Sequence, residues 1–287
     1  MSSTEPDVRT RIARLFVYPV KSCAGVELTE ALLTETGFDL DRAWMVVDEA
    51  GQFTSQRELP RMALIKPQVK TSELVLRAPG MLALHLAVDQ VEKPAKVRVW
   101  DDEVDAWDMG DIAAQWFSDF LGRKLRVARF DPEGRRIASK EWTGGVDAPN
   151  QFSDGYPLLV TSEGSLAELN RRLVQAGRAA VGIERFRPNI VLAGLEANDE
   201  DRLDVLRIAA DREVAIKPVK PCVRCTIPDV DPATAEQGSS VNEVLRAYRA
   251  NERMGGGLTF AMNAIILEGV DATLRVGQEV TANWVFA

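Results

Sequence analysis

The stretch Glu73–Val88, ELVLRAPGMLALHLAV, decides the class of fold. Glu73–Arg77 and Met81–Val88 are strand-forming runs on either side of Ala78-Pro79-Gly80, a breaker cluster that reads as a turn. Leu82, Leu84, Leu86 and Val88 alternate onto one face and His85 points to the other, which is the period of a half-buried strand. The pattern recurs nearby. Ala43–Val47 and Gln52–Thr54 flank the turn Asp48-Glu49-Ala50-Gly51, and Val97–Trp100 with Val104–Trp107 make a third pair. Repeated hairpins at short spacing predict an antiparallel sheet or barrel rather than alternating βαβ units.

Outward from these hairpins, Arg11–Val20 reads as a strand that runs into the basic turn Lys21-Ser22, with Cys23 and Gly25 continuing it. Asp111–Leu121 predicts a helix, with Ile112, Trp116, Phe117, Phe120 and Leu121 on one face and Gly122 at its end. Asp131–Tyr156, rich in Gly, Pro, Asp and Asn, is expected as a long loop, with the domain boundary just before it. The expected domains are therefore 10–130 and 131–287. Pro157–Thr161 is a short strand, and Ser165-Leu166-Ala167-Glu168 fits a capping box that opens a helix buried along Leu166, Leu169 and Leu173. Strands are expected over Phe186–Ala193, Val205–Ile208, Glu213–Lys217, Thr259–Leu267 and Leu274–Thr281, with a short helix over Asn242–Ala250.

Composition limits the function. The chain has 287 residues, 46% of them hydrophobic and 27% charged, as in ordinary globular proteins, and no apolar run approaches the roughly 18 residues of a spanning helix. The polar start MSSTEPDVRTR lacks a signal-peptide core, so a cytoplasmic protein is expected, with no membrane partner. Three cysteines, an odd number, argue against a disulfide framework and fit a reducing compartment. A net charge of −8 argues against a general nucleic-acid binder. The single histidine, His85, reads as a strand residue without catalytic duty, so hydrolytic triads and many zinc sites are disfavoured and an enzyme would rely on an external cofactor.

The chemistry is expected in Lys217–Pro232, KPVKPCVRCTIPDVDP. Cys222 and Cys225 form a C-x-x-C, while Pro221 before it and Thr226-Ile227-Pro228-Asp229 after it oppose a helix, so the segment reads as a rigid loop. Lys217, Lys220 and Arg224, if close in space, would favour a thiolate, which is a nucleophile or a metal ligand. Half a zinc site, a thioredoxin-like redox pair and two inert buried cysteines all remain open on spacing alone. At the strand-to-helix junction, Thr161 and Ser162 offer hydroxyls beside free backbone N–H groups, which suits a phosphate. Lys21, Arg42 and Arg187 lie at strand ends or turns, from which they could converge on the cysteines.

Longer motifs in a fixed order carry a resemblance. YPVKSCAGVEL, LDRAWMVVDEAGQFTSQRELPRMALI, FSDGYPLLVTSEGSLAELNRRL, FRPNIVLAG and KPCVRCTIPDVDPAT resemble the MOSC-domain proteins that carry an N-terminal MOSC β-barrel domain. Within them the chain is most similar to the YcbX-like group and the mitochondrial amidoxime-reducing component. The resemblance implies a mainly β fold with a few helices (α+β), an N-terminal β-barrel-like domain packed on a MOSC β-barrel domain. It also implies a molybdenum-cofactor (molybdopterin) oxidoreductase that reduces N-hydroxylated compounds, with Cys225 as the molybdenum ligand. Cofactor contacts carry over onto Lys21, Ser22, Arg42, Thr161, Ser162, Arg187 and Asn189. Lys220 or Arg224 could orient the metal or deliver protons, and Asp229 is a candidate acid. The sequence shows no cysteine-rich ferredoxin stretch, so no iron–sulfur cluster is expected, and electrons would come from a separate flavoprotein or ferredoxin-like reductase. A second reading is a carrier of molybdenum cofactor, or of sulfur as a Cys225 persulfide. Two departures stand out: the family's D-P-D-T-G is here Asp231-Pro232-Ala233-Thr234-Ala235, and its F-G-x-N is Phe260-Ala261-Met262-Asn263.

Overall fold

Alternation in Val8–Val17 buries Val8, Thr10 and Ile12 and exposes Arg9 and Arg11, as a strand with one wet face requires. The structure, a computed structural model, describes residues 5–285. Past a register shift between Ile12 and Arg14, Leu15, Phe16 and Val17 are all buried, because the strand now has protein on both faces. This is barrel strand β1. The others are β2 (Leu158–Ser162), β3 (Ile190–Ala193), β4 (Leu206–Ala209), β5 (Glu213–Val223), β6 (Gly257–Glu268) and β7 (Glu279–Ala282). Their order is β2-β3-β1-β7-β4-β5-β6, and β6 pairs back onto β2, which closes the barrel. Only β2 and β3 run parallel, joined through a helical crossover.

Ile12, Leu15, Val160, Ile190, Leu192, Leu206, Ile216 and Val280 fill the barrel. Phe16, Leu159, Val191 and Phe260 belong to a second core, with Leu169 and Leu173 of one helix and Val241 and Leu245 of another. Among the described residues the four α-helices are α1 (Gly110–Leu121), the single turn α2 (Lys140–Thr143), α3 (Glu163–Gln175) and α4 (Ser240–Arg246). Among the described residues no helix is long and apolar enough to cross a membrane.

The remaining strands form smaller antiparallel sheets. The opening hairpin is present, with Glu73–Arg77 paired to Leu84–Ala87 and Lys66–Val69 added at its edge. A four-stranded sheet orders Trp44–Val47, Arg126–Phe130, Asp102–Asp108 and Lys93–Val99. Helix α1 packs Trp116, Phe117 and Phe120 against Leu74, Leu84, Leu86 and Val127, and Gly122 ends it in the left-handed conformation. Burying each such ring contributes about 1.5–3 kcal/mol.

Several expectations need correction. Leu82 and Ile112 are 88% and 81% exposed, since Leu82 precedes its strand and Ile112 sits at the rim of the helix face. Helix α3 starts three residues earlier than the expected capping box, with Ser162 as the N-cap accepting from Ser165 N. The supposed loop after Lys217 is strand: β5 runs on to Val223, with register shifts beside Pro218 and Pro221 that absorb their missing N–H groups. The first strand of the segment 10–130 pairs with strands from beyond residue 131. β1 lies between β3 and β7, and Ala31, Leu33 and Phe38 pack into the barrel core.

Candidate active site

The end of β5 carries the cysteines to one side of the barrel. Arg224 N donates to Leu258 O at 2.7 Å, and Asn242 Nδ2 of α4 donates to the Cys225 carbonyl at 3.0 Å, so the backbone at Cys225 is held from two sides. Cys222 and Cys225, both half-buried, line a single cleft. Arg224 Nη1 lies 2.9 Å from Cys222 Sγ. The other expected cations lie elsewhere. Lys217 faces Asp204 at 3.8 Å on the surface, and Lys220 extends over the rings of Trp142 and Tyr156 at 5.5 and 5.9 Å. Cys23 is fully buried, with its thiol pushed up to about 12 by burial, and His85 pairs with Glu73 at 2.8 Å in a separate sheet. Neither can complete a zinc site with the C-x-x-C. Among the described residues no group of three or more His, Cys, Asp or Glu is arranged to hold a metal.

Lys21, Ser22, Arg42, Arg187 and Asn189, drawn from sequence positions far apart, line the same cleft. Ser22, Arg42 and Arg187 have φ values of 66°, 52° and 58°, left-handed conformations that side chains other than glycine adopt at a cost. Such strain concentrates at sites where surrounding structure fixes a side chain for function. The guanidinium groups of Arg42 and Arg187 both lie over the Tyr18 ring, at 4.5 and 4.3 Å. Arg42 donates to Asn189 Oδ1 at 3.1 Å and to Arg187 O at 3.0 Å. Asn189 also accepts from Leu159 N and donates to Phe16 O, stitching this corner to the barrel. Burial, with Arg42 alongside, brings Arg187 down to about 10. Burial likewise lowers Lys21, against the pull of Asp154.

Sequence reading missed the loop that holds Lys21. Lys21 Nζ donates to Phe152 O at 2.8 Å and to Asp154 Oδ1 at 2.5 Å. Crowding around Asp154 works to raise its carboxyl, but Lys21 outweighs this and leaves it below the usual carboxylate range. The Asp154 side chain nevertheless keeps 70% of its surface open along the cleft, so solvent screens the pair. Trp100, itself at φ 56°, donates its indole N–H to the same oxygen at 3.2 Å, and Arg57 lies over its ring at 4.5 Å. Buried Arg136 organises the loop by donating to Asn150 Oδ1, Gln151 O and Ser153 O at 2.6, 3.0 and 2.7 Å. The length of the 131–156 segment was the only sequence signal for these contacts.

Three expected site residues face away from the cleft. The hydroxyls of Thr161 and Ser162 are fully buried and donate to Glu200 at 3.1 and 2.8 Å. Ser165 donates to the same carboxylate at 2.8 Å. The Asp229 carboxylate accepts from Val241 N and Asn242 N at 2.8 and 3.3 Å, capping α4, and burial raises its pKa.

The residues present fit an anionic group. Arg187 Nη2, Arg224 Nε and Tyr156 Oη are buried, and none has a partner among the described residues, although buried donors are normally satisfied. All three side chains line the cleft. Its enclosed part measures about 100 Å³, room for a phosphate-sized group, and the remainder opens to solvent.

Residues 9–124 match the MOSC N-terminal beta barrel domain, and residues 147–281 match the MOSC domain. Mitochondrial amidoxime reducing component 2 of Bos taurus is 35% identical over 248 residues, 83% of this chain and 72% of that protein. The chain belongs to the MOSC-domain family. Another relative, mitochondrial amidoxime-reducing component 1 of Mus musculus, is 33% identical over 283 residues, covering 94% of this chain and 81% of its own. Human molybdenum cofactor sulfurase is 27% identical over 288 residues, 94% of this chain but 32% of the sulfurase. Two of these family names state a mitochondrial location for the relatives, in contrast to the cytoplasmic expectation from composition here.

Proposed function

We propose that this chain binds a molybdenum cofactor in the cleft and with it reduces the N–O bond of N-hydroxylated compounds. The supporting observation is the convergence, in one cleft, of the Cys225 thiol, the cations Lys21, Arg42 and Arg187, and three buried donors without partners. The names of the amidoxime-reducing relatives support the choice of substrate class.

When bound, the cofactor supplies a two-electron centre able to remove oxygen from nitrogen. Cys225 would hold the metal, because a thiolate suits a thiophilic ion. Arg42, Arg187 and Lys21 would hold the cofactor phosphate through charge-assisted bonds, with Arg187 Nη2 gaining the partner it lacks. Asn189 and the Tyr18 ring keep the two guanidinium groups in place before any ligand arrives. Each turnover takes two electrons from a separate reductase and two protons from solvent at the open mouth, converting R–NH–OH to R–NH2 and water.

Thr161, Ser162 and Asp229 are left out of this proposal because their polar atoms are committed elsewhere. Lys220 approaches the site only through Tyr156. The test is reduction of benzamidoxime by the cofactor-loaded protein with a chemical electron donor. Wild type should turn over and Cys225→Ala should not; full activity in the variant refutes the assignment. The likeness to molybdenum cofactor sulfurase supports a second reading, a carrier of cofactor or of persulfide sulfur. A carrier would load an apo-enzyme while leaving benzamidoxime unreduced.

A further inference from the structure

A second cavity of about 500 Å³ lies beside the cleft and shares the side chains of Arg187 and Ile227 with it. That volume falls within the range of small-molecule sites. Phe16, Val26, Pro67, Ile227, Val230 and Pro232 give it an apolar wall. Its charges are largely spent. Glu27 is gripped by Arg14 Nε and Nη2 at 2.7 and 2.8 Å, and Arg185 is held by Asp231 at 2.9 Å. Lys66 and Glu184, both exposed, are of opposite sign, which leaves Arg187, shared with the cleft, as the one unbalanced cation. Where the cleft gathers several cations and unpartnered donors, this cavity has only Arg187, at the wall it shares with the cleft. It therefore suits an uncharged, apolar group.

Ile227 follows Cys225 by two residues and lines both spaces, so a molecule seated in the cavity can extend a polar head toward the cysteine side of the cleft. We propose, resting on the N-reductive reading above, that this cavity receives the apolar body of the substrate while its N-hydroxyl head enters the cleft past Ile227. Among such compounds the cavity then favours those that carry an aromatic ring or aliphatic chain over small polar ones such as hydroxylamine.

Ala233 and Ala24 line the cavity, Ala233 exposed and Ala24 half-buried, and each can carry a larger side chain into it. In Ala233→Trp and Ala24→Phe, the KM for benzamidoxime should rise about tenfold, the scale of losing a ring-sized apolar contact. The KM for hydroxylamine should move less than about twofold by the same reckoning, and molybdenum and pterin content should match wild type. A benzamidoxime KM unchanged in Ala233→Trp, or raised equally for both substrates, overturns the proposal. A wild type that holds molybdenum and pterin but reduces neither compound overturns the N-reductive reading instead. Calorimetric binding of benzamidoxime then decides the cavity separately: weaker binding in Ala233→Trp supports it, and equal or absent binding overturns it.

Discussion

Arg136 is the residue whose loss should couple stability to the cleft most visibly. Arg136→Met keeps the length and apolar character of the stem while removing the guanidinium. The carboxylate of Asp102, 2.7 Å from Arg136 Nε, is 52% exposed and regains water at little cost. Asn150 Oδ1 keeps a second donor, Ser153 Oγ at 2.8 Å. The Ser153 and Gln151 carbonyls, within 2.7 and 3.0 Å of Nη1, lose charge-assisted bonds worth about 1.5–3 kcal/mol each. The expected loss is therefore about 3–6 kcal/mol, at or above the upper end for most single substitutions. Urea unfolding followed by tryptophan fluorescence should show a lower midpoint with an unchanged slope. Limited proteolysis should find new cleavage within 131–156, because the loop that carries Phe152 and Asp154 to Lys21 is no longer clamped. A loss below about 1 kcal/mol with the loop still protected would refute the clamp, since even one such bond is worth more.

Glu200 gives a pH-dependent outcome. Burial raises its carboxyl, so its contribution to stability is full below the ordinary glutamate value and is lost as pH rises through the folded-state value. Glu200→Gln should thus gain on wild type as pH rises above about 4.5 in parallel denaturation curves, and a constant difference would contradict this. Ala235 and Ala261 hold φ values of 62° and 73° where the resembling family has glycine. Relief of about 1–2 kcal/mol, less about 0.4–1 for unfolded-chain entropy, makes Ala235→Gly stabilising by about 0.5–1 kcal/mol. Ala261→Gly also forfeits a buried methyl worth about 0.8 kcal/mol and should be nearly neutral; the reverse order of the two would refute the bookkeeping. Asp154→Asn frees Lys21 for an anion, so inorganic phosphate should raise the melting temperature of this variant more than that of wild type. Equal shifts would remove Lys21 from the anion site.

Legibility in the sequence followed the range of the interactions. The hairpin at Glu73–Ala87 and the stop of α1 at Gly122 are local and were readable from turn residues and periodicity. Periodicity says which side chains share a face but not how far a neighbour covers it, hence the exposed Leu82 and Ile112. Pro221 argued for a loop because the register shift that accommodates it depends on the partner strand β6. Pairing of β1 with β7 spans most of the chain and leaves no local trace, so the sequence did not show that the first strand joins the barrel. Among site residues, Lys21, Ser22, Arg42, Arg187, Asn189 and Cys225 were reached through motifs and do line one cleft. The hydroxyls of Thr161 and Ser162 bond to Glu200, 39 and 38 residues away, a pairing no local pattern announces. The same distance effect hid Arg136 and Asp154, which have no motif of their own.

The most direct test of the account is the molybdenum and pterin content per chain of protein purified from a host that makes the cofactor, for wild type beside Cys225→Ala. The account predicts near-stoichiometric molybdenum and pterin in wild type and lost or loosened molybdenum in the variant. A well-folded wild type without molybdenum, or a Cys225→Ala protein that holds it equally tightly, would contradict it.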